Sequence, residues 1–274
     1  MLCVLMPWRL LDDQEKDIYH SLAIDEALAR VCAHSENRMN TVRFWRAESA
    51  VVIGRFQCVH EEVNIPMCQE RGVHIARRFT GGGAVYQDAG NLNFTICGDQ
   101  RCEFISRRLQ EFYDMFVGAV TKGLRSLGVS AEYVQNRYSI RVNGKKVTGT
   151  AGWVRSGVSF LHGTLLIESD LDTLNAVLRP IQGQPVYLRD RTRIRCKASH
   201  RDTVTNLRSA MDEDIDEQSI RRAILEAIEE STGESIGKGE MTREEETASE
   251  RLYQERYSQS SWNLGTPVQK TQQP

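Results

Sequence analysis

Apolar positions in this chain recur with two periods, near 3.6 and 2, and the change from one to the other marks its elements. Leu22, Ile24, Ala27, Leu28 and Val31 fall at helical spacing and predict a helix over 17–31. TVRFWRAES and AVVIGRFQ are rich in β-branched and aromatic residues, which predicts two short strands joined near Glu48 and Ser49. A short helix is expected over 60–71, and after it GAVY and LNFTI predict strands separated by the turn-forming QDAGN. Between Phe104 and Leu127, the residues Leu109, Phe112, Met115, Phe116, Val120 and Leu124 recur at intervals of three or four and predict the strongest amphipathic helix. YSIRV, KKVTG and SFLHGTLLI then read as an antiparallel β unit. This order lacks regular βαβ alternation and predicts an α+β fold, with a mixed, mostly antiparallel sheet flanked by helices.

The pattern changes near Asp212. SIRRAILEAIEEST places Ile220, Ile224, Ala227 and Ile228 on one helical face, and TREE from Thr242 fits the capping box that opens a further helix. The expected organisation is a main unit over 1–211, a small helical appendage over 212–265 and a disordered tail over 266–274. With 274 residues, 40% of them hydrophobic, the chain can bury a substantial core. Its 35 basic and 37 acidic residues leave a net charge of -2, so neither nucleic acid nor an anionic membrane is an expected partner. The opening MLCVLMPWRLLDD lacks a basic n-region and a cleavage pattern, which makes a cytoplasmic location the default expectation. Seven cysteines without a CxxC pair, and six scattered histidines, predict neither a disulfide framework nor a metal site built by the protein alone.

Two short motifs carry the candidate chemistry. In RRFTGGGAVYQDAGNLNF, three consecutive glycines lead into a strand, whereas phosphate loops of the GxxxxGK[ST] and GxGxxG kinds lead into a helix. What remains offers backbone N–H groups, the Thr80 hydroxyl and the guanidinium groups of Arg77 and Arg78 to an anion. Taken alone, the same residues also suit a plain tight turn. In NGKKVTGTAGW, Asn143-Gly144 is a two-residue hairpin signal, and period-two alternation puts Lys146, Thr148 and Thr150 on one polar face. Taken alone, Lys146 suits an exposed, solubilising position beside a turn better than it suits a site.

RRFTGGGAVYQDAGNLNF, NGKKVTG and FLHGTLLI, in this order, resemble the lipoate–protein ligase A family. LAIDEAL, RFWRAESAVVIGRFQ, SHRDTVTNL and ERYSQSSWNLG are also similar, so the likeness runs from about residue 18 to 265. The resemblance implies a fold shared with biotin ligases and a two-step reaction. Lipoate attacks the α-phosphate of ATP, and the acyl group of lipoyl-AMP then passes to a lysine of a lipoyl carrier protein, either a lipoyl domain or a protein like the H protein of glycine cleavage. It implies Lys146 as the catalytic lysine, and Arg78, Thr80, Gly82, Gly83, Ala84, Asn91, Asn136, Thr148, Ala151 and His162 around the adenylate. Trp45 and Val85 are implied near the lipoyl chain. Mg2+ would enter with ATP.

Two residues depart from the family pattern. The common Tyr/Phe-His-Asp is here Tyr86-Gln87-Asp88, and the usual Asn-Asp is Asn136-Arg137, which removes a carboxylate that could contact magnesium. The chain also resembles the short members, some of which need a separate accessory subunit. Related octanoyltransferases move an acyl group without ATP, through a cysteine or a lysine, and a non-catalytic carrier-binding relative is a third reading. In PVYLRDRTRIRCK, residues Arg189, Arg191, Arg193, Arg195 and Lys197 share one parity; extended, they form a basic stripe that suits closing over an adenylate or steering an acidic carrier, and equally a solvated edge strand.

Overall fold

The computed structural model describes residues 8–12, 15–189, 196–210 and 215–268. Its spine is a six-stranded sheet in the order β10 (Thr148–Arg155), β11 (Val158–Leu166), β6 (Asn91–Asp99), β2 (Asn40–Trp45), β1 (Trp8–Asp12) and β13 (Ile236–Lys238). The first four strands run antiparallel to one another, and β1 lies parallel to both β2 and β13. A three-stranded sheet joins β4 (His74–Arg77), β3 (Ala50–Ile53) and β5 (Val85–Gln87), and a second joins β7 (Ala131–Val134), β8 (Ser139–Val142) and β9 (Lys145–Lys146). β12 (Tyr187–Leu188) pairs with β14 (Thr266–Pro267), so the expected tail begins as a strand, and 269–274 lie outside the described residues.

Strand alternation decides the layers. On β6, Leu92, Phe94 and Ile96 enter the main core with Phe112, Phe116, Val120 and Leu124 of α4 (Leu109–Ser126) and Ile220, Ile224 and Ile228 of α6 (Glu217–Thr232). Each of these large side chains contributes about 1.5–3 kcal/mol on burial. The intervening β6 residue Cys97 packs with Phe160 of β11 under Ala29 and Cys32 of α1 (Ile18–His34). Asp17 caps α1 by accepting from the amides of Tyr19 and His20. The C-terminal helices are built into this frame: α6 lies on α4, and α7 (Arg243–Leu252), opened by the Thr242–Glu245 capping box, lies on α1. No helix among the described residues is long and apolar enough to cross a membrane.

Three expectations are corrected. The helix over 60–71 is two, α2 (Val59–Glu62) and α3 (Ile65–Glu70), because the Asn64 side chain caps the second and Pro66 stands in its first turn. The KKVTG strand is divided at Val147, whose backbone bonds Ile140 on one side and Leu166 on the other, so the chain passes from one sheet to the next there. The third concerns the cysteines: Cys58 and Cys196 are disulfide-bonded, with Cα atoms 5.3 Å apart across 138 residues of sequence. Local spacing carries no trace of a pairing made by two segments that meet only in the fold. The short α5 (Leu171–Val177) and α8 (Ser260–Asn263) complete the helices among the described residues.

Candidate active site

The strand registers bring one polar row together inside the fold. Arg43 of β2 lies opposite Thr95 of β6, Thr95 opposite His162 of β11, and His162 opposite Ala151 of β10. Asp25, on the face of α1 that also carries Leu22 and Leu28, meets this row. Its Oδ1 accepts from Arg43 at 2.7 Å and from the Thr95 hydroxyl at 2.8 Å, and its Oδ2 lies 2.8 Å from His162 Nδ1. His162 Nε2 lies 2.8 Å from the Thr80 hydroxyl, which accepts from Arg78 Nε at 3.1 Å. The donors and acceptors agree along the whole chain when His162 is neutral, with Nδ1–H given to Asp25 and Nε2 accepting from Thr80. Burial pushes His162 below its ordinary value although Asp25 opposes it. Burial also pushes Asp25 up, but the bond from His162 and the Arg43 charge outweigh it and hold the carboxylate below its usual range.

The glycine turn is fixed from within. Arg78 donates Nη2 to the carbonyls of Gly81 and Gly83 at 2.6 and 2.7 Å and Nη1 to Val52 at 3.1 Å. Its guanidinium therefore braces the loop, and burial lowers its pKa to about 10. Gly82 has φ +86, and a Cβ on Gly54 would stand 2.2 Å from the Gly82 carbonyl oxygen. The loop can cross the end of β3 only because both positions lack a side chain.

Two adjoining spaces open beside this frame. A narrow slot of about 30 Å³ is lined by Trp45, Val85 and Ala151 with Leu22, Val52, Gln87 and His162. It shares Val85, Gly149 and Thr164 with a cavity of about 460 Å³, on whose wall stand Lys146, Thr148, Ala84, Arg179, His200, Arg201 and Asp202. Lys146 reaches that wall because the Asn143-Gly144 turn, with φ of 51 and 74, closes the hairpin just before it. Its strand is bracketed by the segment after Cys196, through Lys146 N–H to Thr203 at 2.9 Å and Thr205 N–H to Lys146 at 3.0 Å. Among the described residues the ammonium has no ion-pair or hydrogen-bond partner. Burial lowers its pKa, Asp202 opposes this, and Arg137 and Arg141 reinforce it.

Of the residues implied by sequence, Lys146, Thr148, Ala84, Val85, Trp45, Arg78, Ala151 and His162 line the two spaces. Thr80 stands behind His162, and Asn91 behind Thr164, to which it donates at 2.7 Å. Gly82 and Gly83 shape the loop that Arg78 braces. Asn136 is exposed and lines neither space, while its neighbour Arg137 contacts the His200 ring at 2.8 Å. Of the basic stripe, Arg191, Arg193 and Arg195 lie outside the described residues. Sequence reasoning passed over Asp25, Arg43, Asp202 and Arg179. Only Asp25 carries a signal, a charge at helical spacing between Leu22 and Leu28.

Fold and site together define an α+β protein in which a narrow slot adjoins a larger cavity whose wall carries Lys146, Arg179 and Arg201. Residues 17–229 match the family model of the lipoyl protein ligase A/B catalytic domain. The chain belongs to that family. It is 34% identical over 257 residues to lipoate-protein ligase A subunit 1 of Thermoplasma acidophilum, covering 89% of this chain and 91% of that protein. It is also 27% identical to octanoyltransferase LipM of Kyrpidia tusciae, over 94% of this chain and 99% of that one. A T. acidophilum lipoate protein ligase structure with bound lipoic acid superposes with a TM-score of 0.80 at 29% identity, over 95% of this chain and 100% of the other. A lipoate-protein ligase A structure bound with ATP gives 0.80 at 30% identity, over 95% and 99%. The chain is accordingly an enzyme of the ligase class.

Proposed function

We propose that this protein is an ATP-dependent lipoate–protein ligase, which makes lipoyl-AMP and passes the lipoyl group to a lysine of a lipoyl carrier protein. The observation that carries the reading is the placement of Lys146: a half-buried ammonium, without an ion-pair or hydrogen-bond partner among the described residues, on the wall of a cation-lined cavity that shares Val85, Gly149 and Thr164 with an apolar slot. The acyl chain enters the slot along Trp45, Val85 and Ala151, and its carboxylate emerges at the junction. The phosphates lie in the cavity among Arg179, His200 and Arg201. There the Lys146 ammonium draws carboxylate and α-phosphate together and stabilises the charge that grows as the anhydride forms. Among the described residues the cavity's carboxylates are Glu61 and Asp202, the latter holding Arg141 at 2.6 Å. Such a sparse donor set suits Mg2+ carried in by the phosphates, not a cage built by the protein.

The likeness to an octanoyltransferase raises an ATP-independent acyl transfer as the competing reading. No cysteine is among the described residues lining either space, and Cys32, Cys68 and Cys97 are free but buried elsewhere. This favours adenylation over a cysteine acyl-enzyme. Intact-mass analysis of an apo lipoyl domain incubated with the protein, lipoate and MgATP should show a lipoyl-sized gain, absent without ATP. A gain that persists without ATP, from an acylated donor protein, would replace the ligase reading with the transferase. A gain that appears only with preformed lipoyl-AMP would mean that the activation step needs an accessory subunit.

A further inference from the structure

The segment Cys196–Thr205 is a strap that forms one wall of the nucleotide cavity, contributing Ser199, His200, Arg201, Asp202 and Val204. Its C-terminal half is tied by the Lys146 backbone bonds to Thr203 and Thr205 and by the Arg141–Asp202 ion pair at 2.6 Å, and its N-terminal half by hydrogen bonds. Lys197 N–H bonds the Phe56 carbonyl at 3.0 Å, Ser199 N–H bonds Glu62 at 2.8 Å, and the Ser199 hydroxyl accepts from Gln57 at 3.0 Å and from the Ala84 amide at 2.8 Å. The covalent attachment is at its root, where Cys196 is bonded to Cys58 beside Glu61, itself on the cavity wall. The other described cysteines, Cys32, Cys68, Cys97 and Cys102, are free. A single bridge at the edge of a working cavity, in a chain whose core is otherwise free of disulfides among the described residues, has the placement of a control point.

We propose that Cys58 and Cys196 form a reversible dithiol–disulfide site that latches the strap over the nucleotide cavity. This rests on the ligase reading for its effect on catalysis, but not for its chemistry. Cys196 is partly exposed and Cys58 is buried, so an incoming thiolate attacks the Cys196 sulfur. Cys58 leaves as a thiolate and takes a proton. A second thiol cleaves the mixed disulfide, releasing the small-molecule disulfide and leaving two protein thiols. Oxidation is the reverse, with a low-molecular-weight disulfide such as oxidised glutathione accepting the two electrons. In the reduced state the strap is held without a covalent tie, by its hydrogen bonds and the Arg141–Asp202 ion pair, and its N-terminal half opens more often.

The test uses the full chain, treated with oxidised glutathione or with dithiothreitol. After denaturation in N-ethylmaleimide the oxidised sample should carry two fewer adducts than the seven cysteines allow, and the reduced sample all seven. Tryptic cleavage of the native protein after Lys197 and Arg201 should rise about tenfold on reduction. The KM for ATP should rise about three- to tenfold, with kcat changed less. Cys196→Ser and, separately, Cys58→Ser should match the reduced protein and ignore the oxidant. Seven adducts in the oxidised sample would overturn the proposal, as would a bridge that forms while both cleavage and the KM stay fixed. If carrier modification is absent altogether while cleavage still follows the redox state, the latch stands and the ligase reading falls.

Discussion

Lys146→Ala should lower the rate of lipoyl-AMP formation by about 10³-fold or more, since removing one preorganised donor to a developing charge costs about 10²–10³ and the lysine also aligns the reactants. The loss should fall on kcat, with the KM for lipoate little changed, because the slot that seats the acyl chain is walled by Trp45, Val85 and Ala151 and not by the lysine. Single-turnover release of pyrophosphate measures the step directly. A variant retaining a tenth of the wild-type rate would remove Lys146 from the chemistry and with it the main support for adenylation at this junction. Lys146→Arg should recover little, since the wider guanidinium does not reproduce the compact charge of the ammonium on the cavity wall.

The pH profile gives an independent check on the same group. Burial lowers the Lys146 pKa from the ordinary 10.5, so the ammonium is lost at lower pH than in a free lysine. Activity that needs the charged form should be full on the acid side and fall as pH rises through this lowered value. Asp202 opposes the shift. Asp202→Asn should therefore move the alkaline limb to still lower pH, towards the values favoured by the cations of Arg137 and Arg141. An alkaline limb that stayed at the position of a free lysine in both proteins would show that another group controls it.

The elements that could be read from the sequence are those whose signal is local. α1 and α4 declare themselves by apolar spacing, the 143–144 hairpin by its Asn-Gly pair, and α7 by a capping box that forms as written. The slot residues became legible only through a resemblance of spaced motifs, since nothing local distinguishes Trp45 or Ala151 from ordinary core. β1, β7 and β13 escaped notice because strands of three to five residues alternate too briefly to stand out. Contacts across the fold left no trace at all: the Cys58–Cys196 bond, Asp202 beside Lys146, and Arg43 opposite Thr95 each join segments far apart in sequence. Arg78 shows the limit of a motif. It can be located in the sequence, but that its guanidinium turns back to brace Gly81 and Gly83 is a matter of packing.

Asp25→Ala should be the most destabilising single substitution near the site, costing about 3–5 kcal/mol and lowering the melting temperature by roughly 6–20 °C. Asp25 and Arg43 are both wholly buried and lie 2.7 Å apart, so removing the carboxylate takes a close opposite charge away from a guanidinium in the interior. The same carboxylate fixes the His162 tautomer, and its loss frees the ring to turn away from Thr80. Asp25→Leu combined with Arg43→Met should therefore recover much of the stability and little of the activity, a split that separates the charge balance from the orientation of His162. Acidification acts on the same cluster. Folded His162 has a pKa below the ordinary 6.5, so the unfolded chain binds its proton first as pH falls and stability declines from about that value downward. Asp25, also depressed, adds a further loss as pH falls past its ordinary 3.8. Melting temperatures measured between about pH 8 and 5 should fall in the wild type, and His162→Gln should flatten the upper part of that decline. A decline of equal size in His162→Gln would mean that other groups carry the acid sensitivity, and that His162 is not held neutral by the fold.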